Sequence, residues 1–322
     1  MVESDGPAPS GPSFFCARIS LHGDFSLPKM VAMPNKLRTE SYRRAAFASL
    51  SIFLSLACVS RAQQCSIAPQ SANLGETLRL SCPPEVASAK WNDRAVRLFP
   101  QADGKSFGLM PVSVKDSPGP ASIAFLSKEG TVVATEIFFV RATRFPSENV
   151  RLSPDIEALR STPEEIQLLT GFRNEVSDGR FWQDPLSPPV DGCVTSPFGV
   201  KRMHNGKPTG EFHGGVDQRT PAGEAIRAIA DGKIIFAKQF NVLGNAVGID
   251  HGQGLGSMYL HMSKLAVADG ALVKKGDALG YAGSTGRSTG PHLHWVLYTN
   301  GVNVNPAQWV NLSPCPRPPK KK

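Results

Sequence analysis

Three short segments in the last third of the chain restrict its fold most, because each carries side chains able to bind a metal ion. The segments read FHGGVD, SMYLHMS and GPHLHW, and histidine is scarce, with 7 in 322 residues. Their metal-competent residues are His213, Asp217, His261, His292 and His294. His292 and His294 are two positions apart, so on a β-strand both imidazoles point to the same face. The pattern therefore predicts a β-strand with one histidine-bearing face.

This set of side chains suits a catalytic zinc site. Two histidine nitrogens and one carboxylate leave a fourth position for water, whereas four protein ligands close a structural site. Three ligands drawn from five candidates leave two histidines for proton transfer, and the ordinary pKa of histidine, about 6.5, suits that task. Gly214 and Gly215 argue against a regular helix in FHGGVD and for a tight loop. We interpret His251 as a hairpin residue without a chemical role and His204 as a loop residue of undecided role.

From about residue 195 to residue 306 the sequence resembles the lysostaphin-like, or LytM-type, zinc endopeptidases that cut peptidoglycan peptides. The shared segments are SPFGVKR, HGGVD, PAGEAIRAIADGKI, IDHGQGLGSMYLHMS, VKKGDALGYAGSTGRSTGPHLHW and NGVNVNP. The resemblance implies that His213, Asp217 and His294 bind one zinc ion. It also implies that His261 and His292 flank the water at the metal, with Tyr259 close to them. None of these positions departs from the family pattern.

The resemblance further implies an endopeptidase that hydrolyses cross-links or stem peptides of bacterial peptidoglycan with a metal-activated water. We favour His292 as the general base, and His261 as the group that stabilises the oxyanion or protonates the leaving amine. The alternative is a non-catalytic wall-binding or amidase-activating module on the same scaffold, against which the intact ligands argue. D-alanyl-diaminopimelate cross-links and glycine bridges are both family substrates; the layout, which resembles exported envelope proteins with an added β domain, favours the former.

An apolar run from residue 45 to residue 59 predicts a secretory signal. It follows four basic residues, precedes Ser60-Arg61-Ala62, and is too short for a comfortable membrane span. We expect cleavage after Ala62 and a protein exported to the periplasm or the extracellular space. A lipoprotein acylated at Cys58 ranks second, because Ser55 occupies a position where such signals prefer a branched apolar residue. The natural start could be Met30 or Met33.

Four cysteines follow the predicted cleavage site, and an even count in an exported protein suggests disulfides. Four cysteines allow three connectivities, and local pairing predicts Cys65–Cys82 and Cys193–Cys315. The second bond closes a loop of over a hundred residues, which contributes about 4–5 kcal/mol in the chain-entropy model. Zinc ligation by cysteine competes with this interpretation, but no cysteine lies near the histidine cluster in sequence.

The predicted fold class is mainly β. A leader occupies residues 1–62, an immunoglobulin-like β domain 63–143, a helical connector 144–192, and an antiparallel sheet with a groove, related to barrel-sandwich hybrids, 193–313. A basic tail, 314–322, ends the chain. In the connector, Thr162-Pro163-Glu164-Glu165 predicts a helix start. The segment VADGALVKKGDALGYAG also resembles half of a biotinyl or lipoyl carrier barrel, but a carrier does not need five metal-competent side chains.

The net charge is +8, and the leader's seven basic and four acidic residues leave about +5 for the remainder. Such a charge favours contact with anionic cell-wall polymer or a membrane surface. The sequence carries no nucleic-acid-binding signature, so we expect no nucleic-acid partner, and we expect a monomer. The role of the first β domain, as spacer, binding module or autoinhibitor, stays open.

Overall fold

Strands in the first part of the chain build two β-sheets. The computed structural model describes residues 64–316, so the predictions for the leader and for most of the basic tail lie outside it. The strands are β1 (Ser66–Ala68), β2 (Ser71–Asn73), β3 (Thr77–Cys82), β4 (Val86–Trp91), β5 (Arg94–Arg97), β6 (Phe99–Pro100), β7 (Ser106–Pro111), β8 (Gly119–Ser127) and β9 (Val132–Arg141). The sheet orders are β1-β3-β7-β6 and β2-β9-β8-β4-β5.

The two sheets share one apolar core, as in a β-sandwich. Alternation along β9 buries Phe138 and Val140 and leaves Ile137 on the outer face, 69% exposed. The Phe138 ring meets the Trp91 ring edge-on at a centroid distance of 4.9 Å. A disulfide joins Cys65 to Cys82 beside this core, which confirms the first predicted pairing.

The connecting segment holds one strand and two helices. They are β10 (Ser147–Val150), α1 (Pro154–Ala158) and α2 (Pro163–Asn174). Thr162 caps α2 through a capping box with Glu165, as the sequence predicts, and Pro163 takes the first helical turn. Helix α2 buries Phe172 edge-on against Phe236 and Tyr298. No helix between residues 64 and 316 is long and apolar enough to cross a membrane.

Residues 194–304 are built from short strands. They are β11 (Val194–Ser196), β12 (Lys201–His204), β13 (Lys207–Phe212), β14 (Val216–Gln218), β15 (Ala225–Arg227), β16 (Gly232–Phe240), β17 (Gly244–Gly252), β18 (Leu255–Met262), β19 (Lys264–Leu265), β20 (Leu272–Val273), β21 (Ala278–Tyr281), β22 (Leu293–Thr299) and β23 (Val302–Val304). A 3-10 turn follows at Pro306–Gln308. This part confirms the mainly β, antiparallel prediction.

The large sheet of this part runs in the order β11-β14-β22-β18-β17-β16-β20, with β23 paired to the far half of β22. Smaller sheets are β15-β21-β19 and β10-β12-β13. In the latter, β10 pairs in parallel with β12, so the connector contributes a strand to the C-terminal part. The disulfide Cys193–Cys315 ties the two ends of this part together and confirms the second predicted pairing.

The large sheet has a buried cluster on each face, and this arrangement positions the site. Tyr259 and Trp295 belong to the main core on one face. Met258 and Leu260 belong to the other cluster, which packs against Phe172 of α2. Because side chains alternate along β18, neighbouring residues on this strand belong to different faces. The second face opens into a cleft.

Polar and aromatic contacts hold the two parts of the described chain together within one unit. The Arg79 guanidinium stacks 4.8 Å from the Trp309 ring centroid and forms an ion pair with Asp184. The Thr77 amide donates to the Gln308 side chain at 2.7 Å, and the Gln308 amide returns a bond to the Thr77 carbonyl at 2.9 Å. The β-sandwich is therefore docked on the C-terminal part by specific bonds.

Candidate metal centre

Strand pairing brings the predicted metal ligands together. Asp217 on β14 lies opposite His294 on β22, and His294 lies opposite Leu260 on β18. His213 reaches the same place from the loop before β14, where its amide donates to the Val200 carbonyl at 2.7 Å. Gly215 allows this loop to pass close to β22, because a Cβ there would lie 2.1 Å from the Trp295 carbonyl oxygen.

Three candidate ligand atoms converge at separations close to those expected around one zinc ion. His213 Nε2 lies 3.1 Å from Asp217 Oδ1, and His294 Nδ1 lies 3.1 Å from the same oxygen. The two imidazole nitrogens are 3.4 Å apart. Atoms that bind one tetrahedral zinc at roughly 2.0–2.1 Å lie about 3.3–3.4 Å apart. The geometry therefore fits a three-ligand zinc site formed by the group that the family resemblance implies.

Hydrogen bonding leaves these atoms in need of a cation. The Pro197 carbonyl oxygen is 2.9 Å from His213 Nδ1 and can only accept, so Nδ1 carries the proton in neutral His213 and Nε2 carries the lone pair. That lone pair faces the Asp217 carboxylate. A carboxylate against a lone pair is stable when a cation lies between them.

Two further imidazoles stand beside the three ligand atoms. The ring centroid of His261 lies 5.1 Å from that of His292 and 5.9 Å from that of His294. Each is oriented through Nδ1, with His261 bonded to the Thr285 carbonyl at 2.9 Å and His292 to the Gly290 carbonyl at 2.8 Å. In these tautomers the lone pair of each ring is on Nε2. Burial and the neighbouring histidines lower the pKa of His261 to about 3, so its imidazole is neutral.

The structure does not bring Tyr259 to these histidines, which contradicts its placement in the predicted site. Its hydroxyl lies in the core on the other face of the sheet, where it accepts from the Ile229 amide at 3.2 Å and receives a bond from Ser257 at 3.0 Å. On a regular strand His261 would share that face, since it is two residues from Tyr259.

A β-bulge separates the two side chains. Asn245 pairs with Met262 and Val247 pairs with Tyr259, so β18 carries one residue more than β17 between these pairs. His261 takes a positive φ of 60° at this bulge, and its side chain enters the cleft instead of the core. A positive φ in a residue other than glycine costs on the order of 1–3 kcal/mol and is concentrated at functional sites. Sequence spacing does not reveal the bulge.

Two supporting residues escaped the sequence interpretation. Arg202 on β12 donates to Asp217 Oδ2 at 2.8 Å and to Glu148 Oε2 at 2.9 Å. Arg202 belongs to the segment SPFGVKR, whose resemblance to the family could have pointed to it. Glu148 lies in β10, and no motif marked it.

The site lies in a cleft of about 820 Å³. Four arginines line it: Arg151, Arg173, Arg202 and Arg287. His204, which sequence spacing left undecided, also lines it, and burial followed by the charges of Arg287 and Arg202 lowers its pKa. The cleft thus surrounds the histidines with four arginine side chains, beside the carboxylates of Glu148, Glu211 and Asp217.

Comparison with known proteins identifies the family to which this architecture belongs. Residues 211–306 match the sequence profile of Peptidase family M23, and they include all five of the converging residues. A crystal structure from Pseudomonas aeruginosa that is assigned to peptidase M23 is 30% identical, covers 70% of this chain and 87% of its own, and superposes with a TM-score of 0.55. The chain belongs to peptidase family M23. The segment that resembles a carrier barrel lies inside the M23 region, so the carrier alternative is not supported.

Curated relatives match about two fifths of this chain. The DD-carboxypeptidase/endopeptidase Mpg of Neisseria meningitidis is 44% identical over 133 residues, which cover 40% of this chain and 30% of that protein. The peptidoglycan DD-endopeptidase ShyA of Vibrio cholerae is 36% identical over 136 residues, 42% of this chain and 31% of that protein. The chain therefore spans about a third of the length of these relatives. The Pseudomonas aeruginosa structure covers more of the chain than the M23 region does, so that similarity extends beyond residues 211–306.

Proposed function

We propose that this M23 protein is a zinc endopeptidase that hydrolyses peptide bonds of bacterial peptidoglycan outside the cytoplasm. The observation that carries the proposal is the convergence of three ligand atoms at 3.1–3.4 Å with two more oriented imidazoles beside them. A structural zinc site would be closed by a fourth protein ligand and would not need two additional oriented imidazoles. The activities after which the relatives are named, DD-carboxypeptidase/endopeptidase and DD-endopeptidase, support the same chemistry.

In this proposal His213, Asp217 and His294 hold one zinc ion. The zinc, when bound, polarises the scissile carbonyl and lowers the pKa of water to roughly 7. The chain's own residues then handle protons. His292 takes the proton of the attacking water, because its Nδ1 is held by the Gly290 carbonyl and its Nε2 lies 3.8 Å from Asp217 Oδ1, beside the ligand atoms.

His261 lies beside His292, with ring centroids 5.1 Å apart, and assists. With its Nδ1 proton held by the Thr285 carbonyl, its neutral ring accepts a hydrogen bond at Nε2. The proton that His292 takes from the attacking water is the proton that the leaving amine needs. His261 can relay that proton to the amine, or stabilise the oxyanion while it holds the proton. The rigid anchoring of both rings to main-chain carbonyls reduces the reorganisation that proton transfer requires.

The cross-link between D-alanine and diaminopimelate is the proposed substrate bond. Relatives named as DD-endopeptidases support this choice over glycine bridges, as do the arginines that line the cleft, because stem peptides with diaminopimelate are acidic. The complete set of predicted ligands argues against a non-catalytic wall-binding or amidase-activating module. Export through a signal in residues 1–62, the domain boundaries at 63–143, 144–192 and 193–313, contact with anionic envelope polymers, and a monomeric state remain predictions.

Digestion of purified cross-linked muropeptide dimers tests the proposal. We expect the zinc-loaded protein to convert dimers to monomers that mass spectrometry identifies as products of D-alanyl-diaminopimelate hydrolysis. A chelator should stop the reaction and added zinc should restore it. Glycine-bridged dimers serve as the matched substrate control. Intact dimers after incubation with fully zinc-loaded protein would refute the proposal.

A further inference from the structure

A chain of charged side chains runs from the proposed metal ligand Asp217 to the connector. Arg202 lies at its centre and binds two carboxylates, Asp217 Oδ2 at 2.8 Å and Glu148 Oε2 at 2.9 Å. The side chains of Arg202 and Asp217 are only 16% and 12% exposed. Hydrogen bonds between ions are shorter and stronger than neutral ones, and burial shields this pair from solvent. Asp217 is therefore held firmly by one of its two oxygens.

Because of the bond to Arg202, the two oxygens of the Asp217 carboxylate have different roles. Oδ2 is held by Arg202, whereas Oδ1 is the oxygen that His213 Nε2 and His294 Nδ1 both approach to 3.1 Å. A carboxylate without such a partner can offer both oxygens to one cation. The guanidinium thus restricts Asp217 to a single ligand atom and fixes the direction in which that atom points.

Glu148 compensates the charge that Arg202 brings. A guanidinium next to a cation site repels the cation, and the carboxylate of Glu148 offsets that repulsion. Glu148 also accepts from Ser196 Oγ at 2.6 Å, and that hydroxyl lies 3.4 Å from His213 Nδ1. One carboxylate therefore supports two of the three proposed ligands.

Backbone pairing explains why Glu148 stands there. In the parallel pair of β10 and β12, Glu148 lies directly opposite Arg202. Glu148 precedes the region matched by the family profile, residues 211–306, by more than sixty residues. A strand of the connector consequently supplies a side chain that lies one residue away from the proposed ligand Asp217 in this chain of charges.

We propose that Arg202 and Glu148 are positioning residues that set the affinity of the site for zinc. The proposal rests on the zinc site of the proposed function and not on the peptide bond that is cut. Partners of metal ligands in other proteins change metal affinity by about 10–100-fold when they are replaced. We expect an effect of that size from the loss of the Glu148 charge alone.

The first test measures the Kd of zinc for the metal-free protein by competition with a chromogenic chelator. Glu148→Gln keeps the shape of the side chain and should raise the Kd about 10–100-fold. The control is Glu157→Gln, since Glu157 belongs to the same connector and accepts from Asn205 Nδ2 at 2.9 Å; its Kd should stay within about twofold of wild type. Melting temperatures of the metal-free variants separate lost affinity from lost folding.

The second test examines Asp217 through Co²⁺ bound in place of zinc. Arg202→Met frees Oδ2, so the coordination number should rise and the visible absorption of the cobalt protein should weaken, because tetrahedral cobalt absorbs most strongly. Arg202→Lys keeps the charge but loses the two-sided geometry, and it should show a smaller change. In the double variant Glu148→Gln, Arg202→Met, the uncompensated charge is gone, so zinc should bind more tightly than to Glu148→Gln alone.

An unchanged zinc Kd in Glu148→Gln, or a wild-type cobalt spectrum in Arg202→Met, would overturn the proposal. These readouts do not depend on hydrolysis. A protein that binds zinc as described but leaves muropeptides intact would refute the proposed function and leave the positioning roles standing. The reverse result, full hydrolysis with an unchanged Kd in Glu148→Gln, would refute the positioning roles only.

Discussion

The large sheet carries histidines on both faces, and their hydrogen bonds differ in kind. On the core face, His251 has both nitrogens engaged, with Nδ1 2.7 Å from the Asp231 carbonyl oxygen and Nε2 2.7 Å from Ser257 Oγ. On the cleft face, main-chain carbonyls engage only Nδ1 of His213, His261 and His292. Nε2 of His213 and Nε2 of His292 lie 3.1 Å and 3.8 Å from Asp217 Oδ1.

This difference separates a structural histidine from a functional one. The His251 ring is fully buried, and burial lowers its pKa to about 4, so it stays neutral as a link between Asp231 and the Ser257–Tyr259 pair. The cleft histidines are oriented equally well but keep a lone pair for another group. Histidines that a carbonyl orients and whose lone pairs converge are prepared for a metal or a proton; the His251 ring is prepared for neither.

The largest contrast between the faces is expected for zinc binding. Replacing His294 by Ala should abolish hydrolysis and sharply lower zinc content, because only two of three ligands remain. His251→Gln removes a histidine of the other face and should leave zinc content at wild-type stoichiometry. Metal analysis of both purified variants measures this. Full zinc occupancy in His294→Ala would remove the distinction between the faces.

Within the cleft face, replacing a metal ligand should remove zinc, whereas replacing either of the two flanking histidines should not. His292→Ala and His261→Ala should retain zinc and lose about 10²–10⁴-fold in turnover, the usual contribution of general acid–base catalysis. Zinc content, melting temperature and muropeptide hydrolysis should be measured for each variant. If only His292→Ala is inactive, the assignment of the base is strengthened. Near-wild-type turnover in both variants would show that neither ring transfers protons.

His251, the core-face histidine, should make the free energy of unfolding depend on pH. Its pKa is about 4 in the folded protein and near 6.5 in the unfolded chain, so the unfolded state binds more protons between these values. Stability is therefore lost as the pH falls from 6.5 to 4, by about 3 kcal/mol from this ring. His251→Gln lacks this titration. Urea unfolding of the metal-free proteins should show the deficit of the variant shrinking toward pH 4, and a constant deficit would contradict the account.

The smallest effect is expected at Ser257, which links His251 to Tyr259. Ser257→Ala leaves His251 Nε2 and the Tyr259 hydroxyl without this buried partner and should cost roughly 1–3 kcal/mol of unfolding free energy. Hydrolysis and zinc content should be unaffected at temperatures where the protein is folded. Denaturant unfolding beside an activity assay measures both. A loss of activity with no loss of stability would place this network in the catalytic machinery.

The sequence alone pointed to the candidate groups because the rules that mark them are local. The two-residue spacing of His292 and His294, the glycines of FHGGVD and the capping box of α2 follow from strand, loop and helix geometry. Both disulfides followed from pairing the cysteines in order, one pair within each predicted β domain. The resemblance to the family supplied the assignment of each ligand.

The misplaced and missed residues depend on pairing between distant segments. Tyr259 and His261 are two residues apart, so a regular strand would place them on the same face. Only the bulge against β17 sends them to opposite faces. Glu148 meets Arg202 because β10 adds in parallel beside β12, a pairing that spans more than fifty residues of sequence. Neither the bulge in β18 nor the parallel pairing of β10 with β12 can be predicted from the hydrophobic alternation of the sequence.

X-ray absorption at the zinc edge tests the central claim most directly, because it reports the atoms bound to the metal. The account predicts one zinc per chain with only nitrogen and oxygen neighbours at roughly 2.0–2.1 Å, two of them imidazoles. His251→Gln should give the same spectrum. A sulfur neighbour, or a third or fourth imidazole, would show that zinc binds through a different set of residues and would contradict the assignment of His213, Asp217 and His294.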